Sequence, residues 1–269
     1  MPANNGKQGV YMTGNVLEVR DVTRSFGGVS ALRGVSAKAV SSEILSIIGP
    51  NGAGKTTLIN GVNGVYPPDQ GTVILNDVDI TGLKPYQVAS QGIARTFQNV
   101  ALFPGMTVLA NIMLGRNILM KTGVLSCGLF WGATKREEIV HRREVENIID
   151  FLAITDIRLT PAGALPLGLQ KRVELGRALA AEPCVLLLDE PMGGMNLEER
   201  ESMARYILDM RDLTDTVVVL IEHDMGVVMD ISDRVVVLDQ GEKISEGTSD
   251  QVRNDPVVVE AYLGKPHEA

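Results

Sequence analysis

Cysteine is nearly absent from this sequence. The two present, Cys127 and Cys184, lie far apart and share no metal-ligand spacing, so neither a disulfide scaffold nor a cysteine-held metal is indicated, and reduced thiols in a cytoplasmic compartment are expected. Long apolar runs are missing as well. The nearest candidates, residues 217–221 and 235–238, have the length of buried strands and fall short of the ~20 residues a membrane-spanning helix needs. If the protein works at a membrane, something else must hold it there. The opening segment, MPANNGKQGVYMTGN, lacks the apolar centre of a signal peptide and reads as a flexible lead-in. Nor is there a basic excess: 25 Lys and Arg against 33 Asp and Glu leave a net charge of −8. A general attraction to nucleic acid or anionic lipid is therefore not indicated, although local basic patches stay open. No internal repeat or low-complexity tract is evident. With 269 residues and 45% hydrophobic content, the chain can bury a sizeable core as one α/β domain with an inserted subdomain, or as two small domains.

The most informative stretch is ILSIIGPNGAGKTTL, residues 44–58. An apolar run (Ile44, Leu45, Ile47, Ile48) is broken by Gly49 and Pro50; Asn51, Gly52, Ala53, Gly54, Lys55, Thr56 and Thr57 follow, then a helix-like continuation. This is G-x-x-x-x-G-K-[ST] with a strand before it and a helix after it, the context that gives the motif its meaning. Glycines let successive backbone N–H groups turn inward around phosphate oxygens, and the positive end of the following helix adds to the attraction. Lys55 would reach the β- and γ-phosphates as a point charge, and the Thr56 hydroxyl would ligate Mg²⁺. A bound nucleoside triphosphate is the expectation.

Upstream, residues 16–26 begin with the apolar/polar alternation of a half-buried strand, Gly27-Gly28 turns the chain, and residues 31–40 read as a second strand. Together they form an antiparallel lead into the phosphate-loop strand. Phe26, beside that turn, offers a flat π-face to a purine ring, although a core or turn aromatic is the commoner role at such a position. Downstream come a turn at 66–71, a strand at 72–75, a hairpin corner at Asn76-Asp77, a short helix at 85–91 opened by Pro85, and a strand at 93–97 that ends in Gln98. That glutamine is placed to order a water or touch a metal; alone, such a residue is ordinarily a polar loop residue. From about 102 to 181 the pattern turns helical, at 106–119 and at 137–152, the latter with Ile139, Val145, Ile148, Ile149 and Leu152 at helical spacing. Between them GVLSCGLFWGAT has no clear period, and Phe130 and Trp131 there suit either a partner's surface or local packing.

Residues 165–180, LPLGLQKRVELGRALA, make an amphipathic helix. Leu169, Val173, Leu175, Ala178 and Leu179 sit on or near one face; Lys171, Arg172, Glu174 and Arg177 occupy much of the other, the pattern of a solvated basic side. Residues 184–189, CVLLLD, are a near-continuous apolar run, as in a parallel strand covered on both faces, and lead into Asp189 and Glu190. Carboxylates at the C-terminal end of such a strand stand on the rim where open α/β sheets bind ligands. Asp189 would hold Mg²⁺ through water, and Glu190 would orient or deprotonate an attacking water. After a helix at 197–213 and a buried strand at 216–221, His223 stands on the same rim: a candidate functional group there, an ordinary polar residue if taken alone. A helix at 224–231, a strand at 234–238, a turn at 239–242, a strand at 243–246 and two short helices close the chain.

In order, GPNGAGKTT (49–57), FQN around Gln98, LPLGLQKR (165–172), LLLDEP (186–191) and EHD around His223 resemble the ATP-binding cassette (ABC) transporter ATPases over about residues 16–264. Phe26 matches the aromatic position that stacks on adenine in that family. The resemblance implies an α/β fold: a P-loop NTPase core with a mostly parallel sheet, an antiparallel β subdomain and an inserted α-helical subdomain. After a flexible segment 1–14, one ATPase domain would span 15–264, with core and antiparallel β at about 15–101 and 182–247, the helical subdomain at about 102–181 and C-terminal helices at about 248–264. It also implies a mechanism. Two cassettes, as a homodimer or heterodimer, close head to tail on two molecules of ATP with Mg²⁺, each ATP lying between one chain's phosphate loop and the other's signature segment. Closure pulls on transmembrane permease subunits, served by a solute-binding protein, and hydrolysis reopens the pair. Gln98 would link the Mg²⁺ and water to the membrane contact, His223 would touch the γ-phosphate, and Gly168 would present backbone N–H groups to the partner's ATP. The subunit would lie peripherally on the cytoplasmic face of the inner membrane.

The signature departs from the family's Leu-Ser-Gly-Gly-Gln: Leu165-Pro166-Leu167-Gly168-Leu169 stands in its place. Pro166 replaces the serine hydroxyl that would meet the partner's γ-phosphate. One lost hydrogen bond to a charged group is worth ~1.5–3 kcal/mol, enough to weaken a site without abolishing it. GMN (194–196), IEHDM (221–225), the long helical insertion and AYLG (261–264) look like ATPase subunits of importers for branched-chain amino acids, or for urea, short amides and similar polar organic solutes. The solute never touches this subunit, so its identity is almost unreadable here. Two other classes share the phosphate loop. A soluble ABC ATPase acting on nucleic acid or the ribosome usually carries twin cassettes, coiled-coil arms or basic extensions, against one cassette and a net negative charge here. A small-molecule kinase or GTPase does not explain Asp189-Glu190 beside His223, and no N-K-x-D signature is found.

Overall fold

A computed structural model describes residues 14–120 and 133–263; Cys127, Phe130, Trp131 and the lead-in before residue 14 lie outside them. Four strands, β1 (Val16–Phe26), β2 (Val29–Val40), β4 (Gln70–Leu75) and β5 (Val78–Asp79), pair antiparallel in the order β2-β1-β4-β5. Six others, β3 (Ile44–Ile48), β6 (Ile93–Arg95), β7 (Val185–Asp189), β8 (Val217–Ile221), β9 (Arg234–Asp239) and β10 (Glu242–Gly247), run in the order β10-β9-β3-β8-β7-β6, parallel except for β10. The antiparallel pair β1-β2 leads into β3, as the sequence indicates. β3 leaves the first sheet and inserts between β8 and β9 in the second. Every residue of β3 is buried, and only an interior strand of a sheet covered on both faces accommodates that.

The described helices are α1 (Lys55–Val62), α2 (Pro85–Ser90), α3 (Val108–Gly115), α4 (Ala133–Phe151), α5 (Leu167–Leu179), α6 (Leu197–Leu213), α7 (Met225–Ile231), α8 (Ser249–Arg253) and α9 (Pro256–Leu263). One part of the core, with Val22, Leu32, Leu58 and Val219, fills the space between the antiparallel sheet, α1 and one face of the parallel sheet. A second, with Ile112, Ile149, Leu175 and Ile207, packs α3 to α6 on the opposite face, and a third packs α7 to α9 on β9. The corner at Asn76 and Asp77 has φ of +49° and +64°, the left-handed pair of a tight hairpin that Asn and Asp tolerate.

Three sequence expectations need adjustment. The helix expected over 106–119 is α3, capped by the Thr107 hydroxyl and followed by one tighter turn over Arg116–Ile118. The strand expected to reach residue 97 ends at Arg95: the register with β7 runs over Ile93 to Arg95, and the Thr96 N–H, which donates to the Leu187 carbonyl at 3.0 Å, makes the last main-chain bond to it. Ile139 is 58% exposed, so the apolar stripe of α4 meets the core only from Val145 onward.

Register positions the site. Ile47 of β3 and Asp189 of β7 both pair with Ile221 of β8. The C-terminal ends of three adjacent strands are therefore level, and the phosphate loop, Asp189-Glu190 and Glu222-His223 all emerge on one rim.

The helical layer is held by a close crossing of α3 and α5. A Cβ at Gly115 would lie 2.1 Å from the Arg177 carbonyl oxygen, and one at Gly176 would lie 3.1 Å from Ile112 Cδ1 on α3. Gly115→Ala should force the two helices apart at a cost of about 1–3 kcal/mol, as overpacking does; the check is a lower urea midpoint with an unchanged slope.

Candidate active site

β3 ends at Ile48 and the chain turns at once into the phosphate loop. Gly49 has φ +148° and Gly54 φ +103°. A Cβ at Gly49 would stand 2.0 Å from the Leu238 carbonyl oxygen, and one at Gly54 2.6 Å from that of Ala31, so the residue type is dictated by space as well as by backbone conformation. Helix α1 starts at Lys55 with no side-chain cap. The N–H groups of its first turn have no intrahelical acceptor and, with the positive end of the helix, make an anion site. Lys55 is buried, and its Nζ donates to the carbonyls of Gly49 (2.6 Å) and Pro50 (3.0 Å). Burial lowers its pKa, while the charges of Glu190 and Asp189 work the other way. Asn51, Gly52, Ala53, Gly54, Thr56 and Thr57 line an open cleft that Gln98 and Glu190 complete.

Across the cleft, Glu190 is held with φ +48°. Its N–H donates to the Ile221 carbonyl at 2.9 Å, and its Oε2 accepts a hydrogen bond from Gln98 Nε2 at 3.1 Å. His223 Nδ1 lies 3.7 Å from the same oxygen, with the His223 side chain 62% exposed. Asp189 is buried one residue earlier, where Oδ2 meets Arg95 Nη2 at 2.8 Å; Arg95 Nη1 also reaches Asn60 Oδ1 on α1 at 2.6 Å. Asp224, beside the histidine, is a structural group: it caps α7 and pairs with Arg200 at 2.6 Å.

Phe26 and Gly168 stand outside this cleft. Phe26 sits at the end of β1 with its ring 5.3 Å from that of Tyr66, edge-on, and with the Arg24 guanidinium 4.8 Å from its centroid. Gly168 is buried in the first turn of α5, where a Cβ would lie 2.3 Å from Glu199 Oε1. Pro166 is the N-cap of α5 and provides no side-chain cap.

The polar side of α5 corrects the sequence reading. Lys171 and Glu174, read there as part of a solvated face, are both buried. Lys171 Nζ donates to the Glu190 carbonyl at 2.7 Å, and Glu174 Oε1 accepts from the Ala101 N–H at 3.2 Å and lies 3.6 Å from Arg177. Helical spacing assigns faces but does not tell which face another element covers; the acidic rim of the sheet covers this one. Arg95 and Glu222 also escaped the sequence reading. Glu222 is 1% exposed and accepts from the N–H groups of Met192 (2.9 Å) and His223 (3.2 Å), and burial pushes its pKa up. For Arg95 a signal existed: a cation inside an apolar strand, three residues before Gln98, needs a buried anion.

Comparison with known proteins gives concordant results. A family described as ABC transporter matches residues 32–193, and one described as branched-chain amino acid ATP-binding cassette transporter matches residues 242–268. The chain is 39% identical over 255 residues to the high-affinity branched-chain amino acid transport ATP-binding protein BraF of Pseudomonas aeruginosa, covering 94% of this chain and 100% of that one. To LivG of Escherichia coli K12, of the same description, it is 38% identical over 254 residues with the same coverage. Among solved structures, the ADP conformation of an ATP-binding cassette of an ABC transporter aligns with a TM-score of 0.81 at 32% identity, over 94% of this chain and 100% of that one.

The Arg95–Asp189 pair is 6% and 3% exposed. Arg95→Met should strand a buried carboxylate and cost about 3–5 kcal/mol, measured by urea unfolding without divalent cations. Most of that loss should disappear in a double variant that also carries Asp189→Asn.

Proposed function

The chain belongs to the ABC transporter ATP-binding family, and on that premise we propose that it is the ATP-hydrolysing subunit of an importer for branched-chain amino acids or a related polar organic solute. The observation that carries the reading is the convergence of Lys55, Gln98, Glu190 and His223 on the rim formed by β3, β8 and β7. In this reading the loop amides and Lys55 bind the phosphates of ATP, Glu190 orients or deprotonates the attacking water, and His223 contacts the γ-phosphate. Lys55 would exchange the carbonyls of Gly49 and Pro50 for phosphate oxygens. Phe26 is assigned to the adenine.

The donors fit Mg²⁺. Thr56 and Gln98 bring neutral oxygens to the cleft, and Arg95 bonds the Asp189 carboxylate at Oδ2, with no hydrogen bond to Oδ1 among the described residues. An all-oxygen set of this kind suits a hard cation that keeps several waters. When bound, the ion would neutralise charge on the phosphates; Thr56, Gln98 and, through water, Asp189 would hold it.

Two features support partners. The first turn of α5, with Gly168, stands apart from this chain's own cleft, as a segment that completes the ATP site of a second cassette would. An open groove between α2, β6 and α3 carries Phe97 and Phe103, 43% and 56% exposed, with Ile118 at 40%. Such apolar surface suits a permease segment, and it reaches the cleft through the neighbouring Gln98. Among the described residues no helix is long and apolar enough to cross a membrane, so this groove is the proposed means of peripheral attachment on the cytoplasmic side. The related importer subunits named above favour this reading over a nucleic-acid or ribosome ATPase.

Purification of the native complex tests it: polytopic membrane subunits should accompany the protein, and a solute-binding protein should stimulate its ATPase, whereas co-purification with ribosomes would overturn the importer assignment. Glu190→Gln should retain ATP affinity while turnover falls by ~10²–10⁴-fold, accumulating a closed pair in size-exclusion chromatography. Pro166→Ser, which restores a hydroxyl to the signature, should raise ATPase activity if that segment limits turnover.

A further inference from the structure

Lysine is almost never fully buried without a partner, and Lys171 is buried on α5 with its Nζ 2.7 Å from a single acceptor, the Glu190 carbonyl oxygen. We propose that Lys171 is a positioning residue for the hydrolytic reaction: by holding the Glu190 main chain it fixes where the Glu190 carboxylate points, and it ties the setting of α5 to this chain's own ATP site. The proposal rests on the role given to Glu190 above.

Glu190 needs such a restraint. At φ +48° it occupies the left-handed region, which a residue with a long side chain keeps only where the surroundings over-determine it. Three of the ties around it come from the sheet and the turn itself: its N–H to the Ile221 carbonyl (2.9 Å), the Gly193 N–H to its carbonyl (3.2 Å), and the Met192 N–H to Glu222 (2.9 Å). The Lys171 bond is the one that arrives from α5. It converges with Gly193 on the same carbonyl oxygen and closes the turn after Glu190 from outside.

The charges around Lys171 suit this task. Burial lowers the Lys171 pKa, and the charges of Glu222, Glu174, Glu190 and Asp189 work against that shift. An ammonium group has three donors and no acceptor capacity, so its match on a main chain is a carbonyl oxygen, and the one it meets is that of Glu190.

Position on the helix gives the bond a second meaning. Gly168 and Lys171 are three residues apart and share one face of α5. The end assigned to a second chain's nucleotide and the group that restrains Glu190 are thus on one helical turn. A shift of that turn as the partner's site fills would be felt at Glu190 through a single hydrogen bond.

The test compares Lys171→Met with Lys171→Arg in the full-length chain. Hydrogen exchange of the isolated protein without nucleotide comes first, because it does not depend on the functional reading. The amides of Glu190, Met192 and Gly193 should exchange at least ~10-fold faster in the Met variant and near the wild-type rate in the Arg variant; unchanged protection in the Met variant overturns the proposal. In the native complex, kcat for ATP should fall ~10- to 100-fold in the Met variant with KM within about twofold, and Arg should restore most of it. A parallel loss of ATP affinity and kcat, or a kcat within twofold of wild type, overturns it too. Should the Met variant not fold, Lys171→Gln takes its place with the same criteria. A wild-type complex that does not hydrolyse ATP would refute the function assigned above, and the exchange experiment would still decide the role of Lys171.

Discussion

At Gly49 and Gly54 no methyl group fits between the phosphate loop and the chain on either side of it, and the rest of the site is set out from that constraint. At Gly49 the obstacle is the carbonyl at the end of β9; at Gly54 it is the carbonyl of Ala31 on β2. One loop is pressed against both sheets at once. The contact is reinforced by backbone bonds from Gly241 to Ala53 (3.1 Å) and from Arg33 to Gly241 (2.8 Å). The loop's shape is thus imposed by tertiary packing, and the start of α1 inherits a fixed position relative to the carboxylates on β7.

Around that fixed loop the protein buries both signs of charge. Lys55, Lys171, Glu174, Asp189 and Glu222 are all at most 8% exposed, and each has a hydrogen-bonding partner among backbone groups or opposite charges. Buried ion pairs contribute little net stability and are costly to break. Their value here lies in aim. Glu222 accepts from one backbone amide of the turn that carries Glu190, that of Met192, and from the amide of His223 on its own segment, and Arg95 joins α1 to β7 through Asn60 and Asp189. The residues facing the cleft are oriented by groups that do not face it.

Much of this was legible in the sequence, for identifiable reasons. Strands such as Val185–Asp189 and Val217–Ile221 are apolar without alternation because both faces are covered. The phosphate loop is legible because its stereochemistry leaves few alternatives. What stayed hidden depends on covering and direction. The run at 165–180 gives the period of α5 but cannot tell that Lys171 and Glu174 meet the acidic rim. Hairpin logic gives β1 and β2, yet the passage of β3 into another sheet follows from its complete burial, which is a property of the assembled layers. Phe26 was identified by position alone, and its nearest ring is that of Tyr66.

The contact between Gly115 and Arg177 carries one more consequence. Side chains between packed helices act as cushions: they change rotamer and absorb small displacements. Here main chain rests on main chain, and the two residues also line the groove proposed above for a permease segment. At this point a push on α3 would meet the main chain of α5 directly, while side chains such as Ile112 and Leu175 cushion the rest of the crossing.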